Sequence, residues 1–165
     1  MASPLQPPAT TASDNQLNWT QLNAASFALA ASALEAPGLK CIICNDMHTA
    51  YELQRNLSYF CDDKTQVLLF PDWEILPYDR FSPHEDIISE RLSILAQLAT
   101  MSSGILIASI NTLMAYLPPP EYIASQRWQL SLGDMLSLQA LRDQCIKAGY
   151  HLSQQVLAHG EFALR

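Results

Sequence analysis

The chain of 165 residues is long enough for one sizeable domain, or for one domain and part of another. Its composition, 49% apolar and 15% charged, is that of a globular protein and excludes intrinsic disorder. The net charge of −7 and the scattered basic residues disfavour nucleic-acid binding by this chain alone, because phosphate contact needs clustered cations. The start lacks a targeting signal and every apolar run is too short to span a bilayer, so we expect a soluble, cytoplasmic protein.

After a tail rich in Pro, Ser and Thr at 1–15, helical and strand patterns alternate along the chain. Asp46 is predicted to cap the second helix, and Ser137 the last one, which Gly149 ends in a left-handed conformation. The predicted helices span 21–35, 46–60, 86–99, 111–116 and 137–148, and the predicted strands span 39–44, 66–70 and 104–109, with a strand and turn within 127–134 and the opening of a strand within 159–165.

Short, nearly continuous apolar strands separated by helices predict an α/β fold, in which helices flank a parallel sheet. Three consecutive prolines at 118–120 mark a boundary. We therefore expect a first domain over 16–120 and the beginning of a second domain over 121–165. No turn or closing element follows the last strand pattern, so we expect the chain to be a fragment of a longer protein.

The loop after the second predicted strand contains the residues that look most catalytic. Ligand sites of parallel α/β sheets lie at the carboxyl ends of the strands. A cleft there could be lined by Trp73, Glu74, Tyr78, Asp79 and Arg80, with Glu74 and Asp79 as an acid–base pair. The alternative is a loop whose aromatic side chains pack back on the domain, because no nucleophile or Gly-rich loop accompanies the two carboxylates.

The residues that follow this loop match the start of a helix. Ser82 is predicted to be the N-cap of a capping box, with Pro83 at the first helical position and Glu85 reaching back to the N–H of Ser82. The predicted apolar face of this helix consists of Ile88, Leu92, Leu95 and Ala99, which lie three or four residues apart.

Motifs for metal binding, nucleophilic catalysis and phosphate binding are missing from the chain. Cys41 and Cys44 form a C-x-x-C, but residues three apart in a strand face opposite sides and do not share a metal. The segment around the first helix has neither the glycines nor the lysine of a G-x-x-x-x-G-K-[ST] loop. We expect no catalytic residue, no metal and no cofactor in this chain.

Four segments, DWEILPYDRFSPHEDIISERLSIL, GILIASINTLMAYLPPP, LRDQCIKAGY and HGEFALR, resemble the N-terminal region of the bacterial transcription-repair coupling factors (Mfd). In that family this region is similar to the excision-repair protein UvrB. The resemblance implies a first domain related to helicase motor domains but without a working ATPase. It also implies that the loop after residue 70 is too short for the DNA-probing hairpin of UvrB, because the next helix begins by about Pro83.

The resemblance also implies partners. The family's second domain, a small α+β adaptor, binds the damage-recognition protein UvrA, and Arg165 matches a position implicated in that contact. RNA polymerase and double-stranded DNA bind to parts of the family's proteins beyond this chain, and the motor that uses ATP and Mg also lies there. The chain is then expected to be a non-catalytic scaffold of a protein that displaces stalled RNA polymerase at DNA lesions and recruits UvrA for nucleotide excision repair.

The alternative function comes from a different class of protein. It is a stand-alone α/β enzyme or ligand-binding domain that uses the cleft near Glu74, Tyr78 and Asp79.

Overall fold

The computed structural model describes residues 18–75, 79–126, 128 and 130–164. The helices of this part of the chain are α1 (Ala24–Ala33), α2 (Met47–Phe60), α3 (Glu85–Leu98), α4 (Ile110–Leu113), α5 (Pro120–Gln126) and α6 (Leu138–Lys147), and its strands are β1 (Leu39–Cys44), β2 (Val67–Phe70), β3 (Gly104–Ser109), β4 (His151–Leu152) and β5 (Glu161–Phe162). None of these helices is long and apolar enough to cross a bilayer.

The chain divides into two compact units. The first consists of the residues up to Asp72 together with Thr100–Tyr116, and the second consists of Trp73–Ala99 together with the residues from Leu117 onward. The family modules expected at 16–120 and 121–165, and the tail at 1–15, stay a prediction.

The first unit is built on a three-stranded parallel sheet in the order β1-β3-β2. The central strand β3 is apolar except for Ser109 and is almost completely buried, as expected for a strand covered on both faces. One face of the sheet packs against α1 and α2 through a cluster that includes Ala28, Leu57, Leu69 and Ile107. The predicted α/β fold with a parallel sheet flanked by helices is confirmed.

Polar side chains satisfy backbone groups at the ends of two helices of the first unit. Asp46 accepts a hydrogen bond from the backbone N–H of Thr49 at 2.7 Å and begins α2, as predicted. At the C-terminal end of α1, the Nζ of Lys40 donates to the carbonyl oxygens of Ala31 and Leu34, at 3.3 and 3.0 Å. Lys40 thereby satisfies carbonyl groups that have no partner within the helix.

The two cysteines of the C-x-x-C lie on opposite sides of β1, as predicted. Cys41 is exposed and Cys44 is buried. Burial raises the pKa of the Cys44 thiol, and the charge of Asp46 adds to this rise. These positions do not allow the two thiols to share one ligand.

The second unit contains α3, α5, α6 and a pair of short parallel strands, β4 and β5. The prediction for α6 is confirmed, since the hydroxyl of Ser137 accepts from the N–H of Ala140 and Gly149 follows the helix at φ +88°. The strand predicted within 159–165 is confirmed as β5.

One prediction for the second unit is wrong. The described residues of 127–134 contain a turn but no strand, and Asp134 closes a local loop there by accepting from the N–H of Ser131 at 2.8 Å. The boundary at the prolines 118–120 stays a prediction, and Pro120 is the first residue of α5. Proline is compatible with this position because the first helical N–H has no acceptor within the helix.

The start of α3 differs from the predicted capping box. The N-cap is His84 rather than Ser82, and its backbone is extended at φ −61° and ψ 139°. The carbonyl of His84 accepts the first helical hydrogen bonds, from Ile87 and Ile88. The imidazole of His84 also contacts the backbone N–H and the carboxylate of Asp86, both at 3.3 Å. These contacts favour the extended conformation of His84 over the helical conformation that a cap at Ser82 requires.

The buried face of α3 is also not the predicted one. Arg91 and Ile94 are its buried residues, whereas Leu92 and Ala99 of the predicted face are exposed. Arg91 is 2% exposed, and its guanidinium carbon lies 4.0 Å from the centroid of the Trp73 ring. The Trp73 ring interacts favourably with the buried guanidinium. The helix face that contains Arg91 is therefore buried although it carries a charge.

Candidate partner surface

The candidate functional surface lies in the second unit, where the first turn of α3 meets the connection between β4 and β5. Asp86 binds two imidazoles there, with one carboxylate oxygen 3.3 Å from the Nδ1 of His84 and the other 3.1 Å from the Nε2 of His159. The Nδ1 of His159 lies 3.3 Å from the hydroxyl of Ser89, one turn further along α3. His159 is 70 positions from Ser89 and 73 positions from Asp86 in the sequence.

The proton positions of this cluster determine its charge. The Nδ1 of His84 accepts from the N–H of Asp86 when it carries no proton. When it carries a proton, it donates to the Asp86 carboxylate, so these two contacts are alternatives. All three side chains are more than half exposed, so solvent screens the attraction between them. The cluster therefore orients groups on a surface and is not a buried acid–base site.

Glu161 fixes the loop that carries His159. One of its carboxylate oxygens accepts from the backbone N–H of Leu157 at 2.8 Å and of Ala158 at 3.2 Å. These two hydrogen bonds favour the ionised form and hold the pKa of the Glu161 carboxyl below its ordinary value. Glu161 belongs to the HGEFALR segment, so this segment shapes the connection as well as forming β5.

Two depressions flank the contact between Asp86 and His159. A cleft of about 740 Å³ is lined by residues 82–86 and 156–159. A smaller groove of about 290 Å³ is lined by Glu85, Ile88, Ser89, Leu92 and His159, by Gly160 and by residues 148–151. Glu85 and His159 line both depressions. No group of three or more His, Cys, Asp or Glu among the described residues is arranged to hold a metal ion.

The residues proposed for a cleft after β2 are distributed differently. Trp73 stacks on Arg91 and therefore packs back on the second unit, as the alternative interpretation of this loop proposed. Glu74 and Asp79 are exposed, and Asp79 accepts from the backbone N–H of Arg80 at 2.8 Å. Tyr78 lies outside the described residues.

The segment around α1, which lacks a P-loop motif, borders a cleft of the first unit. A cleft of about 390 Å³ lies where β1 ends and α1 and α2 begin, and no glycine, lysine or arginine lines it. The first turn of α1 is capped internally, since the side chain of Asn23 accepts from the N–H of Ser26 at 2.8 Å. The nearby Lys40 donates to the opposite end of α1. The features that cradle phosphates in a P-loop are absent from this cleft.

The sequence signals did not identify most of this surface. His84 and Asp86 stand two residues apart at a predicted helix start, but His159 has no sequence feature that links it to them. Arg165, the residue with an implied partner role, lies outside the described residues. Its role stays a prediction, and the described residues that lead to it are β5, Ala163 and Leu164.

Comparison with known proteins identifies relatives at substantial identity. No protein-family profile matches the chain. Over 124 residues, or 75% of its length, the chain is 46% identical to the transcription-repair-coupling factor of Escherichia coli strain K12. It is 44% identical over 77% of its length to the same protein of Haemophilus influenzae, and 24% identical over 75% to that of Bacillus subtilis. The chain spans about a tenth of the length of these relatives (11%, 11% and 10%).

Proposed function

We propose that this chain is a non-catalytic adaptor module that recruits UvrA and belongs to the N-terminal region of a transcription-repair coupling factor. The observation that carries this proposal is the identity of 44–46% over three quarters of the chain. In this proposal the longer cytoplasmic protein displaces stalled RNA polymerase at DNA lesions. Its contacts with RNA polymerase and double-stranded DNA, and its use of ATP and Mg, belong to other parts of that protein.

The first unit supports the non-catalytic part of the proposal. Ligands of parallel α/β sheets bind beyond the carboxyl ends of the strands, but the cleft at the end of β1 offers no cation for a phosphate. The N–H of Ser26 in the first turn of α1 donates to the side chain of Asn23. One of the few donors that this helix end could offer to a phosphate is therefore already used. The unit is therefore suited to support its neighbours rather than to hydrolyse a nucleotide.

Isothermal titration calorimetry with ATP and Mg tests this point directly. We expect no saturable binding of ATP at micromolar concentrations to this chain. Saturable micromolar binding would overturn the non-catalytic assignment and favour the alternative of a ligand-binding α/β domain.

The second unit supports the adaptor part of the proposal. Arg165 stands three positions after the last residue of β5 in the sequence, and the resemblance implies its contact with UvrA. The bonds from Glu161 to the preceding loop fix β5 and the residues around it.

A pull-down with purified UvrA tests the adaptor assignment, and it uses the full-length protein that carries this sequence. We expect the wild-type protein to retain UvrA and Arg165→Ala to lose at least tenfold in affinity. Arg55→Ala is the matched control, because Arg55 is an exposed arginine on α2 in the other unit. A wild-type protein that fails to bind UvrA, or an Arg165→Ala variant that binds like the control, would contradict the assignment.

A further inference from the structure

The connection between β4 and β5, residues 153–160, is joined to α3 by both ring nitrogens of His159. Its Nε2 lies 3.1 Å from a carboxylate oxygen of Asp86, and its Nδ1 lies 3.3 Å from the hydroxyl oxygen of Ser89. All of these residues belong to the second unit. One imidazole thereby attaches a connection without regular secondary structure to the first turns of a helix.

These two contacts determine the tautomer of the neutral imidazole. An ionised carboxylate only accepts hydrogen bonds, so the Nε2 of His159 must carry the proton that points to Asp86. The Nδ1 of the neutral ring then accepts from the hydroxyl of Ser89. When Nδ1 is protonated as well, it donates to the same hydroxyl, because a serine oxygen both donates and accepts. His159 therefore keeps both contacts in either charge state.

The other imidazole on Asp86, that of His84, behaves differently. Its Nδ1 lies 3.3 Å from both the N–H and the carboxylate of Asp86, and it can bond to only one of them at a time. Protonation of His84 therefore gains an ion pair but loses a bond at the start of α3. Protonation of His159 adds attraction to the carboxylate and loses no contact. The two imidazoles do not compete, since each contacts its own oxygen of Asp86.

The remaining charged groups around His159 are mainly carboxylates. Glu85 lines both depressions beside it, and Glu161 accepts from the loop that carries it. His151 of β4 lines the groove and interacts electrostatically with Glu161. The lining residues at the end of α6, 148 and 149, carry no charge. No lysine or arginine is among the described residues that line either depression, so this environment favours a positive imidazole.

We propose that His159 and Asp86 form a clasp that tightens on protonation and holds the β4–β5 connection against α3. The imidazolium lies beside the carboxylate only while the connection is closed, so protonation and closure favour each other. The clasp is therefore tighter at low pH, and it loosens as the pH rises through about 5–8, where histidine loses its charge. This inference goes beyond the recruitment of UvrA and does not depend on it.

Hydrogen exchange of the full-length protein that carries this sequence, measured by mass spectrometry, tests the clasp. The amides of Leu157 and Ala158 report on the closed connection, because both donate to Glu161. The lowered pKa of Glu161 keeps this acceptor ionised throughout the range tested. After correction for intrinsic exchange rates, we expect these amides to be about two- to fivefold better protected at about pH 6 than at about pH 8, as the strength of a solvent-exposed ion pair implies.

Two variants remove the proton-dependent attraction in different ways. His159→Gln keeps a side chain that donates to Asp86 but does not titrate, and Asp86→Asn keeps the shape of the carboxylate without its charge. We expect the protection of the two amides to be independent of pH in both variants. His84→Gln and His151→Gln are the matched controls, because they remove the other imidazoles near the clasp, and we expect both to keep the wild-type pH dependence. Circular dichroism establishes that each variant is folded.

The outcomes decide between the clasp and its alternatives. Loss of the pH dependence in His159→Gln and Asp86→Asn, with both controls equal to the wild type, supports the clasp. Wild-type protection that is equal at the two pH values overturns it. A pH dependence that survives in His159→Gln or in Asp86→Asn overturns it as well, because another group then carries the proton.

Discussion

Replacement of Gly104 by alanine tests how tightly the central strand is fixed. Gly104 begins β3 at φ +136°, a conformation that L-residues rarely adopt and that costs about 1–3 kcal/mol for a residue with a Cβ. The added Cβ would lie 2.6 Å from the Cε of Met101 and 3.0 Å from the carbonyl oxygen of Gln66. The methionine can rotate away, but the carbonyl accepts from the N–H of Ile105 at 2.9 Å and cannot move without weakening that bond.

The expected loss is the sum of the conformational cost and the weakened hydrogen bond. With about 1 kcal/mol for the bond, Gly104→Ala should lower the free energy of unfolding by roughly 2–4 kcal/mol. Gly38→Ala is the matched control, because Gly38 has φ +85° in the same unit and its added Cβ meets nothing within 4 Å. The control should lose only about 1–2 kcal/mol, the cost of the left-handed conformation.

Urea denaturation followed by circular dichroism at 222 nm measures both losses from the midpoint and the slope. Both variants carry the cost of a positive φ, so we expect Gly104→Ala to be less stable than Gly38→Ala by the contribution of the weakened bond, about 1 kcal/mol. Equal losses would refute the argument that the Gln66 carbonyl restricts this position.

Three further predictions concern α3, α2 and the β4–β5 connection. Arg91→Leu should lower the free energy of unfolding by about 2 kcal/mol. A double-mutant cycle with Trp73→Leu should show a coupling energy of about 1 kcal/mol. Additive losses in this cycle would contradict the stacking contact. Asp46→Ala should lower the free energy of unfolding most near neutral pH. The N–H of Thr49 holds the Asp46 pKa below its ordinary value, so this stabilisation is present above the unfolded-state pKa and is lost as the pH falls through the folded-state pKa. Thermal melts between pH 7 and acid measure the difference, and a constant difference would exclude the cap as its source. Glu161→Ala should speed hydrogen exchange at the two amides that donate to its carboxylate, and unchanged exchange would show that other contacts hold the loop.

Local signals predicted the sheet and several helix ends. β1 and β3 were predicted to the residue, because each is a continuous apolar run bounded by turn residues and needs no partner to be recognised. Asp46 and Ser137 were recognised as caps for a similar reason, since a capping side chain bonds to an N–H only three residues away. These features depend on neighbours within one turn of the chain.

Features that depend on distant residues were missed. Apolar residues of α3 form two adjacent rows, and periodicity favoured the row without a charge. The structure buries the row with Arg91 because Trp73, which lies 18 positions earlier, stacks on the guanidinium. The contact between Asp86 and His159 likewise arises from tertiary folding, and no local pattern indicates it.

The strand order β1-β3-β2 has a consequence for synthesis on the ribosome. Among the described residues β1 and β2 each pair with β3, and the pairing of Leu39 with Gly104 joins positions 65 residues apart. At roughly 5–20 residues per second, β1 leaves the peptidyl-transferase centre about 3–13 s before its partner has been made. During this interval β1 has no β3 to pair with, so its backbone groups and apolar side chains are not yet packed in the sheet. The nascent chain therefore passes through a period in which a chaperone that holds extended apolar segments would have a substrate, and this period ends when β3 inserts between the two earlier strands.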